Sequence, residues 1–283
     1  MVLSIIILTL MSTEIFDVDC NKALAAATAI EVFHNFSLIH DDIMDDAPLR
    51  RGKETVHEKW NLNTGILSGD AMLILAYQYF EEYEPHIFRE LAKLFSKTAL
   101  EVCEGQQYDV DFETRDDVTI PEYLKMIEYK TAVLIGASLQ MGAIIAEASE
   151  SCQEKIYAFG KNLGIAFQLQ DDYLDAFGDP TKFGKQVGGD IQSNKKTFLM
   201  IHALETATGE MRETLLKAIA ENPFNKVELI LAVFKACGID TWANALKEQY
   251  LTNAISHLDE IAVSKSRKES LRELAYYLIT RDK

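Results

Sequence analysis

Positive charge is scarce in this chain: 28 Lys and Arg stand against 44 Asp and Glu, a formal net charge of −16 at pH 7. Nucleic-acid binding draws on an excess of Lys and Arg gathered on one face, so this deficit excludes a phosphate-backbone binder. Any polyanionic substrate must be small and held locally. Turn residues are few as well, with 14 glycines and prolines only at Pro48, Pro85, Pro121, Pro180 and Pro223. An all-β chain needs a turn signal about every 8–12 residues, which this spacing does not supply. The four cysteines, Cys20, Cys103, Cys152 and Cys237, form no Cys-x-x-Cys pair. That excludes a zinc knuckle or a disulfide scaffold and points to a reducing compartment. No apolar run reaches the roughly 20 residues of a membrane helix. Residues 2–11 make about half of one, and no Lys or Arg precedes them as in a secretory signal, so they read as a buried first helix cut short at its front.

What is present is a globular composition, 48% hydrophobic and 25% charged, which excludes a disordered tail or a membrane bundle. Apolar residues recur at helical spacing: Leu24, Ala27 and Ile30; Ile156, Phe159 and Leu163; Ile255, Leu258, Ile261 and Ala262. Alternating strand patterns are absent. Residues 131–148 are apolar nearly all round, through Val133, Leu134, Ile135, Leu139, Met141, Ile144 and Ile145, which marks a central helix of a large bundle. With no linker, low-complexity tract or repeat, residues 1–283 read as a single all-α domain.

Two segments break the amphipathic pattern by placing aspartates directly after an apolar stretch: Asp41-Asp42-Ile43-Met44-Asp45 and Asp171-Asp172-Tyr173-Leu174-Asp175. Residues four apart share a helix face, so Asp41 pairs with Asp45 and Asp171 with Asp175. Such like charges repel. A single Asp-Asp-x-x-Asp is ordinarily a solvated helix end, but two copies after apolar runs point to a shared cation. Hard oxygen ligands select Mg²⁺, which is commonly completed by substrate phosphate oxygens. Cations gather in the same regions of this acidic chain: Arg50-Arg51-Gly52-Lys53, Lys130-Thr131, and Gly184-Lys185 with Asp190, Lys195 and Lys196 beyond. The combination suggests a diphosphate clamped between Mg²⁺ and Lys or Arg.

These stretches resemble the trans-isoprenyl diphosphate synthases, the polyprenyl synthetase family, over nearly the whole chain. The resemblance rests on residues 37–45 and Leu49-Arg50-Arg51-Gly52-Lys53, on Tyr129-Lys130-Thr131-Ala132, and on Phe167-Gln168-Leu169-Gln170-Asp171-Asp172 with Gly178-Asp179-Pro180. It implies an antiparallel helical bundle around a deep central cavity, a homodimer, and Mg²⁺-dependent head-to-tail elongation of an allylic diphosphate with isopentenyl diphosphate. On that resemblance, Asp41, Asp45, Asp171 and Asp175, supported by Asp42 and Asp172, hold three Mg²⁺ ions around the allylic diphosphate. Arg50, Lys130 and Lys185 contact the same diphosphate. Thr131 and Gln168 face the cation and leaving group, and the diphosphate itself takes the final proton. Arg51 and His34 bind isopentenyl diphosphate, and Lys195 closes a loop over the site. Lys53 and Lys196 are equally consistent with plain surface lysines.

Family members carry a Gly-Lys-Arg-x-Arg-Pro element just before the helix that here begins at residues 1–7, and the sequence as given does not contain it. Losing hydrogen bonds to charged groups costs roughly 1.5–3 kcal/mol each, so weak isopentenyl diphosphate binding is the expectation for this chain. Either its start is truncated relative to the working protein or it is impaired. Product length is governed one turn below the first aspartates, where Ser37 and Phe36 lie four and five residues before Asp41. A deep aromatic under a small residue resembles medium-chain synthases, which make farnesyl or geranylgeranyl diphosphate.

Three rivals share features. Glu31-x-x-His34 and Glu54-x-x-His57 match the spacing of di-iron carboxylate bundles, but Arg50-Arg51 beside the second would repel iron. Terpene cyclases share the first motif and usually carry an Asn/Asp-Ser/Thr-Glu triad at the second. A non-catalytic partner subunit fits the missing front element, and the intact aspartates oppose it. The acidic surface and lack of lipidation signals fit a cytoplasmic enzyme without a membrane span.

Overall fold

A computed structural model describes residues 5–178 and 188–280. The helices are α1 (Ile5–Ile15), α2 (Leu24–Met44), α3 (Val56–Lys59), α4 (Leu62–Gln78), α5 (Pro85–Thr114), α6 (Ile120–Ile127), α7 (Val133–Ile145) and α8 (Glu150–Phe177). They continue with α9 (Gly189–Gln192), α10 (Phe198–Thr206), α11 (Gly209–Glu221), α12 (Lys226–Ala236), α13 (Ile239–Asp259) and α14 (Lys265–Thr280). Two strands of two residues, β1 (Leu49–Arg50) and β2 (Lys53–Glu54), are the only sheet among the described residues.

Local chemistry sets the helix ends. Pro85 sits in the first turn of the 30-residue α5, where its missing N–H leaves no hydrogen bond unmade. Thr119 and Glu122 close a capping box on α6. Ser149 accepts from the Cys152 N–H to start α8, and Glu150 lies in the positive first turn.

α7 is the central helix: every residue but Gln140 is buried, with α1, α5 and α8 packed around it. It is shorter than the apolar run of residues 131–148 suggests, because the chain enters it through a π-helical turn, Glu128–Ala132. Glycines on neighbouring helices make room there. A Cβ on Gly105 of α5 would lie 2.2 Å from the Lys130 nitrogen, and one on Gly164 of α8 would lie 2.7 Å from the Ala132 Cα. The first helix is buried through polar groups as much as apolar ones: Ser12 donates to the Leu139 carbonyl and Thr13 to the Gly142 carbonyl. Of the apolar stripes, Ile156, Phe159 and Leu163 are fully buried. Leu24 instead lies exposed at the start of α2, where Ala26, Ala27, Ile30 and Phe33 carry the buried face. Ala262 is exposed because α13 ends at Asp259, three residues before it.

Three apolar clusters result. One lies between α2, α4, α5 and α7, one between α1, α7, α8, α13 and α14, and one around α6, α8, α10, α12 and α13. A cavity of about 1170 Å³ opens where α2, α5, the π-turn and α8 meet.

Candidate active site

Both aspartate motifs lie in the last turns of their helices, α2 and α8, and Asp41, Asp42, Asp171, Asp172 and Asp175 all line the cavity. The carbonyl end of a helix repels anions. Placing carboxylates there twice, around one cavity, calls for cations, and the chain supplies them from three other places.

The first is the hairpin. Leu49 pairs with Glu54 and Arg50 with Lys53, leaving Arg51 and Gly52 as a two-residue turn, both at positive φ (54° and 75°). That is the pattern of a type I′ turn, which Gly52 adopts without strain. The segment is thus ordered by β-pairing, and it aims Arg50 at the first motif: Nε donates to Asp42 Oδ1 at 2.7 Å and Nη2 to Asp41 Oδ2 at 2.8 Å. The second is the π-turn, frequently a mark of functional positions. Lys130 on it donates to Asp41 Oδ1 at 2.9 Å and to Asp109 Oδ2 at 2.5 Å. The third is Lys195, an exposed lysine that lines the cavity and feels the charges of Asp190, Asp172, Asp109 and Asp45.

These cations set the charge of the carboxylates. Burial pushes Asp41 upward, but Lys130 and Arg50 outweigh it, so its pKa lies below the ordinary value. Burial and the Asp41 charge raise Asp45. Burial pulls Lys130 down, and Asp109 and Asp41 more than restore it, so it stays a firm cation above the ordinary lysine value. Lys195 behaves likewise, its desolvation outweighed by Asp190 and the other carboxylates. Asp172 is pushed up to about 6, chiefly by burial, against the opposing effects of Lys195 and of its hydrogen bonds from Tyr123 and Gln168. Asp190 is also raised to about 6, again chiefly by burial.

The polar residues expected at the site fall around this core. Thr131 Oγ1 donates to Gln168 Oε1 at 3.5 Å, and Gln168 Nε2 donates to Asp172 Oδ1 at 3.0 Å. Asp175 accepts the Asp190 N–H at 3.0 Å, which ties α9 to the end of α8. His34, Phe36, Ser37 and Arg51 line the same cavity. Burial lowers the His34 pKa, opposed by Glu31 and reinforced by Arg51 and Arg50, and its Nδ1 has no hydrogen-bond partner. The Ser37 hydroxyl bonds back to the His34 carbonyl, while Phe36 packs between Phe33 and His40. Ile5, Val102, Leu134, Ile135 and Phe167 are among the apolar lining residues. Lys53 and Lys196 are not cavity residues, and Lys196 pairs with the exposed Asp116. Lys185 lies outside the described residues. Glu54 is on β2 and His57 on α3, so their Glu-x-x-His spacing does not form one helix face and no di-iron pattern results.

Two residues escape reading by motif. Asp109 shares Lys130 with Asp41, and the Tyr123 hydroxyl donates to Asp172. The signal for Asp109 is Gly105 four residues earlier, a glycine inside a long helix at the point where the π-turn passes. Tyr123 carries no local signal.

Carboxylates gather at the polar end, where Asp41, Asp171 and Asp175 line the cavity from two helices while Asp45, beside Asp41, is not among the lining residues; no thiolate is among them, a hard set that fits Mg²⁺. Comparison with known proteins shows the family. The family model described as Polyprenyl synthetase matches residues 4–237. The chain is 37% identical over 279 residues to the geranylgeranyl diphosphate synthase of Saccharolobus solfataricus, covering 96% of this chain and 84% of that protein. It is 36% identical over 276 residues to a short chain isoprenyl diphosphate synthase of Methanothermobacter thermautotrophicus, covering 97% and 85%. A crystal structure of a geranylgeranyl pyrophosphate synthase superposes with a TM-score of 0.93 at 52% identity, covering 98% of this chain and 86% of that one.

Proposed function

We infer the function from one premise, that the chain belongs to the polyprenyl synthetase family. It is a prenyltransferase that condenses an allylic diphosphate head-to-tail with isopentenyl diphosphate to a medium-chain trans-polyprenyl diphosphate. The observation that carries this reading is the convergence of two aspartate motifs on one cavity, with Arg50 and Lys130 bound to the first of them.

Asp41, Asp45, Asp171 and Asp175 would hold Mg²⁺, three ions by the family resemblance, which would supply charge neutralisation of the diphosphate leaving group. The protein's own part is preorganisation. Arg50 and Lys130 are already fixed by carboxylates, so they meet the developing charge of the leaving group without reorganising. Asp42 and Asp172 are engaged by protein donors and hold their neighbours in place. Thr131 and Gln168 orient the leaving group near the reacting carbon. His34 and Arg51 bind the second diphosphate at the rim. The apolar lining from Phe36 to Phe167 receives the hydrocarbon tail and keeps water from the carbocation. The released diphosphate accepts the proton that ends the step.

The dominant product is farnesyl or geranylgeranyl diphosphate, supported by Phe36 lining the cavity below Ser37. Homodimer formation is supported by the family resemblance and by Leu67 and Ile74 of α4 and Leu100 of α5, large apolar side chains left exposed. No single helix among the described residues is long and apolar enough to cross a membrane, and we place the enzyme in the cytoplasm.

Incubation of the purified protein with Mg²⁺, isopentenyl diphosphate and dimethylallyl, geranyl or farnesyl diphosphate, read by mass spectrometry, tests the reading. Elongation that stops at fifteen or twenty carbons is the expected result. Cyclised hydrocarbon from an allylic diphosphate alone would overturn it.

A further inference from the structure

Asp46, His57 and Glu58 take no part in the reaction above and do not line the cavity. One ligand atom from each lies within 4.8 Å of those of the other two, the only such group of three or more among the described residues. His57 Nε2 stands 3.8 Å from Glu58 Oε1.

The independent observation is the state of the imidazole. The His57 side chain is only 8% exposed, yet neither Nδ1 nor Nε2 has a hydrogen-bond partner. A neutral imidazole has one donor and one acceptor, and buried polar groups are nearly always paired. An unpaired imidazole beside two exposed carboxylates is instead disposed as a ligand.

We propose that Asp46, His57 and Glu58 form a second metal site, distinct from the aspartate walls and selective for Zn²⁺ or a similar transition metal. One imidazole nitrogen and two carboxylate oxygens, with a fourth position for water, make a tetrahedral zinc set. The nitrogen donor sets this site apart from Mg²⁺, which takes octahedral oxygen coordination. The proposal stands independently of the prenyl-transfer reading.

Its place in the chain gives it a consequence. Asp46 follows the last aspartate of the first motif, in left-handed backbone at φ 48°, and His57 and Glu58 lie on α3 just past the hairpin. Between them, Thr55 Oγ1 donates to the Ala47 carbonyl at 2.8 Å and the Thr55 N–H to the Pro48 carbonyl at 3.2 Å. An ion joining Asp46 to α3 closes the base of the hairpin that carries Arg50 and Arg51.

The test uses full-length protein stripped with EDTA, returned to excess Mg²⁺ without diphosphate, and titrated with Zn²⁺ by equilibrium dialysis. One equivalent of Zn²⁺ should bind despite the Mg²⁺. Glu58→Gln and Asp46→Asn change exposed carboxylates, and Asn tolerates left-handed backbone, so both should fold and bind Zn²⁺ at least about tenfold more weakly. Zn²⁺ should slow tryptic cleavage at Arg51 and Lys53 in the parent protein and not in Glu58→Gln. Asp41→Asn/Asp171→Asn protein should keep its Zn²⁺. Absence of Mg²⁺-resistant Zn²⁺ binding, binding unchanged in Glu58→Gln and Asp46→Asn, or binding lost only in Asp41→Asn/Asp171→Asn would each overturn the proposal.

Discussion

Asp42 on α2 and Asp172 on α8 hold the same middle position of the same motif, and both are about 5% exposed. Asp42 meets the Arg50 guanidinium, whereas Asp172 meets a phenol and an amide, from Tyr123 and Gln168. Neutral donors offset less of the cost of burying a charge than a cation does, and the Asp172 pKa is accordingly pushed up to about 6, with burial as the main cause. The contrast extends along each wall. Fixed cations hold Asp41 below the ordinary carboxylate value, while the Asp190 carboxyl beside α8 rises with Asp172. Identical letters at identical spacing therefore hold Asp41 below and Asp172 above the ordinary carboxylate value.

The largest effect tests whether both walls serve one diphosphate. Asp41→Asn and Asp171→Asn should each lower kcat/KM by about 10²–10³ or more in steady-state assays with labelled isopentenyl diphosphate. A loss confined to one of the two would break the symmetry of roles. Next, Lys130→Met should lower kcat by about 10², and Arg50→Met by a smaller factor because Lys130 still holds Asp41.

The electrostatic contrast predicts opposite pH limbs of stability, best read by urea unfolding of EDTA-treated protein. Asp172 has a folded pKa above its unfolded value, so the native state binds the extra proton and stability falls as pH rises from about 4 to about 6. The change is on the order of 2–3 kcal/mol. Asp172→Asn should remove about half of the total slope, leaving the comparable part due to Asp190. Asp41 is depressed, so its contribution is present above its unfolded pKa and is lost only in stronger acid. A slope between pH 4 and 6 unchanged by Asp172→Asn would remove the contrast.

The smallest effect concerns the deep end of each wall. Five residues before their motifs stand Phe36 on α2 and Ala166 on α8, and four residues before stand Ser37 and Phe167. Phe36→Ala should lengthen the product by at least one five-carbon unit on chromatography. Phe167→Ala, one residue nearer its motif, should change length less. Equal shifts would place the floor on both helices.

Much of this was legible before any coordinates. The scarcity of Gly and Pro and the helical spacing of Ile156, Phe159 and Leu163 indicated the all-α architecture, and the two aspartate motifs with Arg50 and Lys130 located the cavity's polar end. Leu24 shares a face with Ala27 and Ile30 yet lies exposed, because periodicity records which residues share a face and not where a helix enters solvent. The hairpin leaves no mark in the sequence because strands of two residues show no alternation. Asp109 and Tyr123 were invisible for a different reason, since they reach Lys130 and Asp172 across 21 and 49 residues of chain.

What the sequence determined by itself is therefore what short-range spacing encodes: which stretches are helical, which carboxylates share a face, and which cations travel near them. Only the tertiary structure decided which aspartate meets a guanidinium and which a phenol. That choice depends on burial and on partners far along the chain, such as Lys130 and Asp41 at a separation of 89 residues. Charge in a low-dielectric interior is set by those neighbours and not by the motif that carries it.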